Sequence, residues 1–420
     1  MDAVSRPGGT LRDFAHNAVR VTANLPRAER SQRKGSGVFA EHVSAMPKKL
    51  VIFCDGTWNE PTAHNTNVVR LLQATELKCK NGDPQILHYI AGVGNRKIEK
   101  YRGGILGYGV SYNIKDAYSF IVSNYEHGDK IYLFGFSRGA FIARVIADMI
   151  HKFGVLRCQD LHLVEEIYRY HKSRSEEWRP QEARTRKFRE DNFCYYPVGI
   201  RFLGIWDTVG ALGIPYSATL GRLNDRFFKT GFHDSMLNVS VDAAYHAIAA
   251  DERRWPFRPM PIELSDYHRQ RNQRNIAEHG FPLYVERWFP GVHSNVGGGY
   301  REHGLSDYTL QWMAERAKEN GLNLKDLGEA LSGSNRPFAP DLKEKIANSQ
   351  TLLYRIPTVL LVKIPSYFGI TSAHPATDQP LTKNIKWNGD YVRPIGTQEE
   401  VSDLPDKMGV DPEYRPPQLR

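Results

Sequence analysis

The chain has 420 residues, of which 41% are hydrophobic and 11% aromatic, enough for one large α/β domain with insertions. Its net charge is +9, but no zinc-finger or RNA-recognition pattern accompanies the charge, so we expect no nucleic-acid partner. The four cysteines contain no Cys-x-x-Cys pair, which argues against a disulfide framework or a zinc site. No signal-peptide core and no apolar run long enough to cross a membrane is present, so the sequence predicts a cytoplasmic protein.

The two ends of the chain differ from its middle. Residues 1–45 show no sustained apolar periodicity, and we expect a disordered or non-native extension there, with Met46 as the natural start. Residues 46–372 are predicted to form the catalytic domain. Residues 373–420 are polar and Pro-rich, and they are predicted to be a tail.

Apolar runs of strand length alternate with helix-like segments through the predicted domain. The strand-like runs lie at 50–54, 85–90, 130–135, 199–206, 245–250 and 284–289, and the clearest helix-like segments at 112–124 and 140–150. This alternation predicts a mostly parallel sheet with crossover helices on its faces.

Residues 157–192 are rich in Arg, Lys, Glu and aromatic side chains, and they are predicted to be a helical insertion. Two positions remain open for it: a cap over the site, or a solvated helical excursion. Basic residues interleaved with Trp178 and Phe188 favour a peripheral contact with an anionic membrane.

The strongest chemical signal is the pentapeptide Gly135–Gly139, which matches Gly-x-Ser-x-Gly between an apolar strand and an apolar helix. The motif places Ser137 at a sharp turn that only small flanking residues allow, and the helix start supplies amide donors for a developing oxyanion. The sequence therefore predicts Ser137 as a nucleophile.

A serine nucleophile needs a base, and the base needs an orienting carboxylate, in the chain order Ser, Asp or Glu, His. Asp207 follows the strand-like run 199–206 and is the preferred acid, with Asp251 after 245–250 as the alternative. His293 follows the last strand-like run and is the preferred base. His246 and His303 are its competitors.

The first strand leads into Asp55-Gly56-Thr57, whose amides are predicted to complete an oxyanion hole with the amide of Arg138. A turn without a catalytic part is the alternative for this segment. A metal-dependent hydrolase built from Asp55, Asp207 and His293 is a further alternative, although no histidine–glutamate spacing typical of such enzymes supports it.

Four motifs, in this order along residues 47–320, together resemble the DUF2235 family: Phe53–Asn59, Gly135–Ala140, Gly204–Val209 and Phe289–Gly299. That family is similar to the catalytic domain of the Tle1-like phospholipase effectors of type VI secretion. The resemblance implies an α/β-hydrolase fold and a triad of Ser137, Asp207 and His293, with secretion as an effector as a further implication. The family often has Asp at the position of Asn295, so any role of that carboxylate is lost here.

The sequence therefore predicts a serine hydrolase that cleaves carboxylic esters, with lipid or phospholipid as the leading substrate and with no metal or organic cofactor. A soluble small-ester or thioester hydrolase is the second hypothesis. A non-catalytic binding module on a hydrolase fold is the third. Nothing in the sequence specifies an oligomeric state.

Overall fold

The computed structural model describes residues 47–56, 64–92, 105–173, 175–210, 236–254 and 257–349. The predicted extension 1–45, Met46, Thr57 and the tail 373–420 lie outside the described residues.

The described residues form a six-stranded sheet flanked by helices. Its strands are β1 Lys49–Cys54, β2 Gln85–Ile90, β3 Lys130–Phe136, β4 Ile200–Trp206, β5 Ala244–Ala249 and β6 Tyr284–Phe289. The helices are α1 Asn67–Ala74, α2 Ile105–Asn124, α3 Arg138–Phe153, α4 Val164–Lys172, α5 Ala183–Asp191, α6 Asp266–His279, α7 His293–Gly297, α8 Gly304–Glu319 and α9 Leu327–Leu331. The predicted α/β class is confirmed.

All strand pairs are parallel, in the order β2-β1-β3-β4-β5-β6. The carboxyl ends of the strands therefore share one edge. After β2 the chain crosses to the far side of β1, so the order reverses between β1 and β3. A crevice opens at such a switch point, and ligands of open α/β sheets bind there.

The sheet is buried on both faces, which explains why its strands read as continuous apolar runs. Leu50 and Ile52 belong to a core cluster shared with α2 and α3, whereas Val51 and Phe53 point into a second cluster shared with α1 and α8. Successive side chains of β1 thus serve opposite faces of the sheet.

The insertion 157–192 is helical, as predicted, and it connects the end of α3 to the start of β4. Because α3 starts at the carboxyl edge of the sheet and runs back along it, both ends of the insertion lie at the opposite edge. Its contacts include Ser111 of α2 with Tyr168, at 2.7 Å between the hydroxyls, and the Arg189 guanidinium donating to the Lys152 carbonyl at 2.7 Å. The insertion flanks α2 and α3, and these contacts do not give it the position of a cap over the carboxyl edge.

The aromatic residues of the insertion form an internal cluster. Trp178 is 7% exposed, its ring stacks on Tyr170 with centroids 3.7 Å apart, and Phe188 meets it edge-on. Arg184 lies over Trp178 and pairs with Glu177. Trp178 therefore packs inside the insertion instead of exposing its ring, and the contact of the insertion with an anionic membrane stays a prediction.

Of the helices that the structure describes, none combines the length and the apolar composition needed to cross a membrane.

Gly139 offers a test of the packing between α3 and β1. A Cβ at this position would lie 2.0 Å from the Cys54 carbonyl oxygen and 2.7 Å from that of Asp55. These neighbours are backbone atoms, which cannot move aside as the end of a flexible side chain can. We therefore expect Gly139→Ala to lower the free energy of unfolding by about 3 kcal/mol or more. Urea unfolding measures the loss. Gly333→Ala, where a Cβ meets nothing within 4 Å, is the control, and equal stability of both variants would contradict this packing.

Candidate active site

Ser137 lies at the sharp turn between β3 and α3. Its backbone angles are φ 58° and ψ −121°, a region that non-glycine residues rarely occupy and that costs about 1–3 kcal/mol. A Cβ on Gly135 would lie 2.5 Å from the Gly139 carbonyl oxygen, so both flanking glycines are needed for the close turn. The turn has the geometry that the Gly-x-Ser-x-Gly motif predicts.

Asp207 directly follows β4, the strand next to β3. Phe136 and Trp206 are paired in the register of these strands, so Ser137 and Asp207 leave the sheet side by side. Asp207 is fully buried, its backbone is left-handed with φ 39°, and its Oδ1 accepts a hydrogen bond from the Ala249 amide at 3.0 Å. One carboxylate oxygen is thus fixed by β5.

The other oxygen of Asp207 contacts His293, the first residue of α7. The distance from Oδ2 to Nδ1 is 2.5 Å. The imidazole is 4% exposed and packs against Phe136 and Phe257, with ring centroids 4.6 and 4.8 Å away. Since Phe136 immediately precedes Ser137, this packing brings the histidine to the Ser137 turn.

Two opposing effects act on His293. Burial lowers the pKa of the imidazole below its usual 6.5, and the hydrogen bond and charge of Asp207 act against that shift. The net direction is downward, so the imidazole is neutral near pH 7 and its Nε2 is available to take a proton.

Hydrogen bonding joins His293 to Asp207, whereas the described residues show no hydrogen bond between the Ser137 hydroxyl and the imidazole. Catalytic hydrogen bonds are often loose without substrate and tighten when it binds. The structure therefore pairs the predicted acid with the predicted base and places Ser137 on the adjacent turn.

The alternative acid, Asp251, follows β5, and the described residues show no hydrogen bond between its carboxylate and the His293 ring. Its Oδ2 accepts from the Gly291 amide at 2.7 Å. The next residue, Glu252, accepts from the His293 amide at 3.2 Å and pairs with Arg254. Glu252 was not identified from the sequence, although it occupies a strand exit like that of Asp251. Both carboxylates hold the loop that carries His293.

The predicted oxyanion segment packs beside the Ser137 turn, since Gly139 lies against the carbonyls of Cys54 and Asp55. Asp55 is buried and organises this segment. Its Oδ1 accepts from the Gly56 amide at 2.7 Å, and its Oδ2 accepts from the Thr66 and Tyr89 hydroxyls, each at 2.9 Å. The Gly56 amide is therefore engaged, and the Thr57 amide lies outside the described residues.

Burial raises the pKa of Asp55 to about 6, against the lowering effect of these three hydrogen bonds. Between pH 4 and 6 the folded state then binds more protons than the unfolded state, so this group lowers stability as the pH rises. We expect the free energy of unfolding of Asp55→Asn, relative to that of the wild type, to rise by about 3 kcal/mol from pH 4 to pH 7. Urea unfolding at both pH values tests this, with the exposed Asp191→Asn as control. A pH-independent difference would contradict it.

The two competing histidines have other partners. His246 is buried in β5, where its ring contacts Glu286 and the Thr208 amide. His303 lies 2.9 Å from the buried carboxylate of Asp307 in α8. Neither contacts Asp207 by a hydrogen bond of its ring, so His293 is the histidine that the structure pairs with the predicted acid.

Among the side chains that the structure describes, no group of three or more His, Cys, Asp or Glu is arranged to hold a metal ion. Asp55 binds Thr66 and Tyr89, whereas Asp207 binds His293.

An all-parallel sheet with a serine at a strained strand-to-helix turn defines the α/β-hydrolase class. Residues 48–316 match the family model described as "T6SS, Phospholipase effector Tle1-like, catalytic domain". The chain belongs to this family, and the resemblance read from its four motifs is confirmed.

Individual relatives are more distant. The uncharacterized protein YEL023C of Saccharomyces cerevisiae is 29% identical over 246 residues, covering 52% of this chain and 34% of the yeast protein. An uncharacterized protein from Pseudomonas aeruginosa is 17% identical with a TM-score of 0.40, over 84% of this chain and 57% of that one. The Tle1 effector bound to the VgrG spike of the type VI secretion system is 18% identical with a TM-score of 0.36, over 66% and 55%. This chain thus spans about a third of the yeast protein and just over half of each solved protein.

Proposed function

We propose that the chain is a serine hydrolase that cleaves carboxylic esters of phospholipids through an acyl-enzyme. The observation that carries the proposal is the 2.5 Å contact between Asp207 and His293 beside the strained Ser137 turn. A buried carboxylate on Nδ1 fixes the imidazole tautomer and leaves Nε2 free to accept a proton.

In the acylation step, His293 Nε2 takes the proton of the Ser137 hydroxyl while Oγ attacks the acyl carbonyl carbon. The resulting imidazolium is stabilised by Asp207, which stays ionised. Collapse of the tetrahedral intermediate breaks the ester C–O bond, and the imidazolium gives its proton to the departing alcohol. For a phospholipid, this alcohol is the lysophospholipid.

In the deacylation step, a water molecule gives one proton to His293 and attacks the acyl carbon. The bond to Ser137 Oγ breaks, the serine regains a proton from the imidazolium, and the fatty acid leaves. No cofactor enters either step of the proposal.

The oxyanion needs two amide donors. The Arg138 amide stands at the first turn of α3, where the positive end of the helix dipole favours a developing negative charge. The Gly56 amide donates to Asp55 in this structure. The proposal therefore assigns the second donor to Thr57, with Gly56 replacing it if its bond to Asp55 opens.

The pKa of His293 predicts the acid limit of activity. Activity needs the neutral imidazole, and burial lowers this pKa, so kcat/KM on a soluble ester should fall with a midpoint below pH 6.5. A profile of 4-nitrophenyl butyrate hydrolysis from pH 4.5 to 9 measures it. Because burial raises the pKa of Asp55 to about 6, Asp55→Asn serves as the control and should keep the same acid limb of kcat/KM. A midpoint at pH 7 or above would contradict the assignment.

The phospholipid part of the proposal is supported by the family, whose description names a phospholipase effector. The test is release of fatty acid and lysophospholipid from phosphatidylcholine vesicles and from vesicles containing phosphatidylglycerol, with 4-nitrophenyl butyrate in parallel. We expect vesicle hydrolysis that Ser137→Ala abolishes, faster on anionic vesicles at low salt. Hydrolysis of the soluble ester alone would overturn the phospholipid assignment, and no Ser137-dependent hydrolysis of any ester would overturn the proposal.

A further inference from the structure

A buried polar network lies directly behind Asp207. His246 of β5 is fully buried and is paired in register with Glu286 of the edge strand β6. Its Nδ1 lies 2.8 Å from Glu286 Oε1, and its Nε2 accepts a hydrogen bond from the amide of Thr208 at 3.1 Å. Thr208 is the residue after Asp207, so the network is hydrogen-bonded to the turn that carries the predicted acid.

These contacts fix the tautomer of His246. A backbone amide can only donate, so Nε2 must be the unprotonated acceptor, and Nδ1 must carry the proton that it donates to Glu286. A proton on Nε2 would face the Thr208 N–H with no acceptor between them. The neutral Nδ1–H tautomer is therefore the form that supports the turn.

The carbonyl of Thr208 is held from the other side. The Met260 amide donates to it at 2.9 Å, and Glu286 Oε1 also accepts from the Ile262 amide at 2.6 Å. Arg144 of α3 donates to the Met260 carbonyl at 2.7 Å, which ties the segment 260–262, here called the strap, to α3. Both backbone groups of Thr208 are thus fixed by the same cluster.

We propose that His246 and Glu286 are positioning residues that hold Thr208, and through it the left-handed backbone of Asp207, so that the Asp207 carboxylate reaches His293. A left-handed conformation of a non-glycine residue needs support from its surroundings, and this network is attached to the next peptide unit. The inference rests on the proposed function, in which Asp207 orients the base.

The charged groups around His246 come from three elements. Glu286 faces it from β6, the Arg144 guanidinium lies on α3 within the electrostatic reach of Glu286, and Asp207 follows β4. Of these three charged groups, only Glu286 forms a hydrogen bond with the imidazole. Removing Glu286 therefore leaves the ring held by its contact with the Thr208 amide alone.

Two variants of His246 separate its two contacts. In His246→Gln the amide oxygen reaches the position of Nε2 and can accept from Thr208. In His246→Asn the shorter amide can reach Glu286 but leaves the Thr208 amide without its acceptor. Glu263→Gln is the matched control, because Glu263 is an exposed carboxylate next to the strap residue Ile262.

The readout is kcat per active site, after titration of functional sites to completion with a fluorophosphonate. We expect His246→Asn to lose about 10- to 100-fold in kcat with an unchanged KM, as for other residues that orient a catalytic ligand. Its acid limb should move to lower pH, because a displaced Asp207 no longer raises the pKa of His293. His246→Gln should stay within about threefold of wild type, and Glu263→Gln should match it.

An unchanged kcat per titrated site in His246→Asn, with only a lower melting temperature, would show a merely structural role and overturn the inference. Equal losses in the Gln and Asn variants would also overturn it. If His246→Asn gives no folded protein, Glu286→Ala is measured in its place with the same expected loss. A wild type that no fluorophosphonate titrates would instead mark failure of the proposed function.

Discussion

Ser137→Ala is expected to lower kcat on every hydrolysed ester by about 10⁴-fold or more, the usual result of removing the nucleophile of such a triad. In the proposed mechanism the hydroxyl forms the acyl-enzyme, so no neighbouring group can replace it. The fold should persist, because alanine is smaller than serine and Ser137 makes no side-chain cap to α3. Steady-state kinetics with 4-nitrophenyl butyrate measure the loss of kcat, and circular dichroism tests whether the fold persists.

The control for this variant is Ser332→Ala, which removes a serine hydroxyl at an exposed position after α9. It should keep the wild-type rate. A Ser137→Ala protein that retains more than about a hundredth of the wild-type kcat would exclude Ser137 as the nucleophile.

Asp207→Asn has the second largest expected effect, a loss of about 10³- to 10⁴-fold in kcat. An asparagine can donate to Nδ1 and so stabilise the wrong tautomer, with the proton on Nε2, where the base must be free. The imidazolium that forms during attack also loses its counter-charge. Because Asp207 is fully buried and bonded to the Ala249 amide, thermal unfolding must accompany the kinetics.

Asp251→Asn is the matched comparison, since it makes the same chemical change one strand away. Its amide oxygen can still accept from the Gly291 amide, so we expect a loss of less than about tenfold. The reverse ranking, in folded proteins, would assign the acid to Asp251.

The strands could be predicted from the sequence because burial on both faces makes each one a short, unbroken apolar run. β4, for example, reads Phe202-Leu203-Gly204-Ile205-Trp206 and is found where that run predicts it. The Ser137 turn could also be predicted from the sequence, because its steric requirement is local: it needs glycines two residues before and two residues after the serine. The family resemblance favoured Asp207 over Asp251 as the acid and His293 over its competitors as the base.

Other features depend on tertiary contacts that sequence patterns do not show. α2 begins at Ile105, earlier than the predicted 112, although Gly107 and Gly109 have poor helix propensity. The position of the insertion depends on which end of α3 it follows. The partnership of His246 with Glu286 depends on the register of β5 and β6, whereas the sequence showed His246 only as a competing base.

The central claim, a serine nucleophile at residue 137, is tested most directly by covalent labelling. A fluorophosphonate forms a bond from phosphorus to the serine oxygen and releases fluoride, so intact-protein mass spectrometry counts the adducts and peptide mapping locates them. We predict one adduct per chain, on Ser137, absent from Ser137→Ala and slowed in Asp207→Asn. A wild type that stays unlabelled while it hydrolyses esters, or an adduct that persists in Ser137→Ala, would contradict the account.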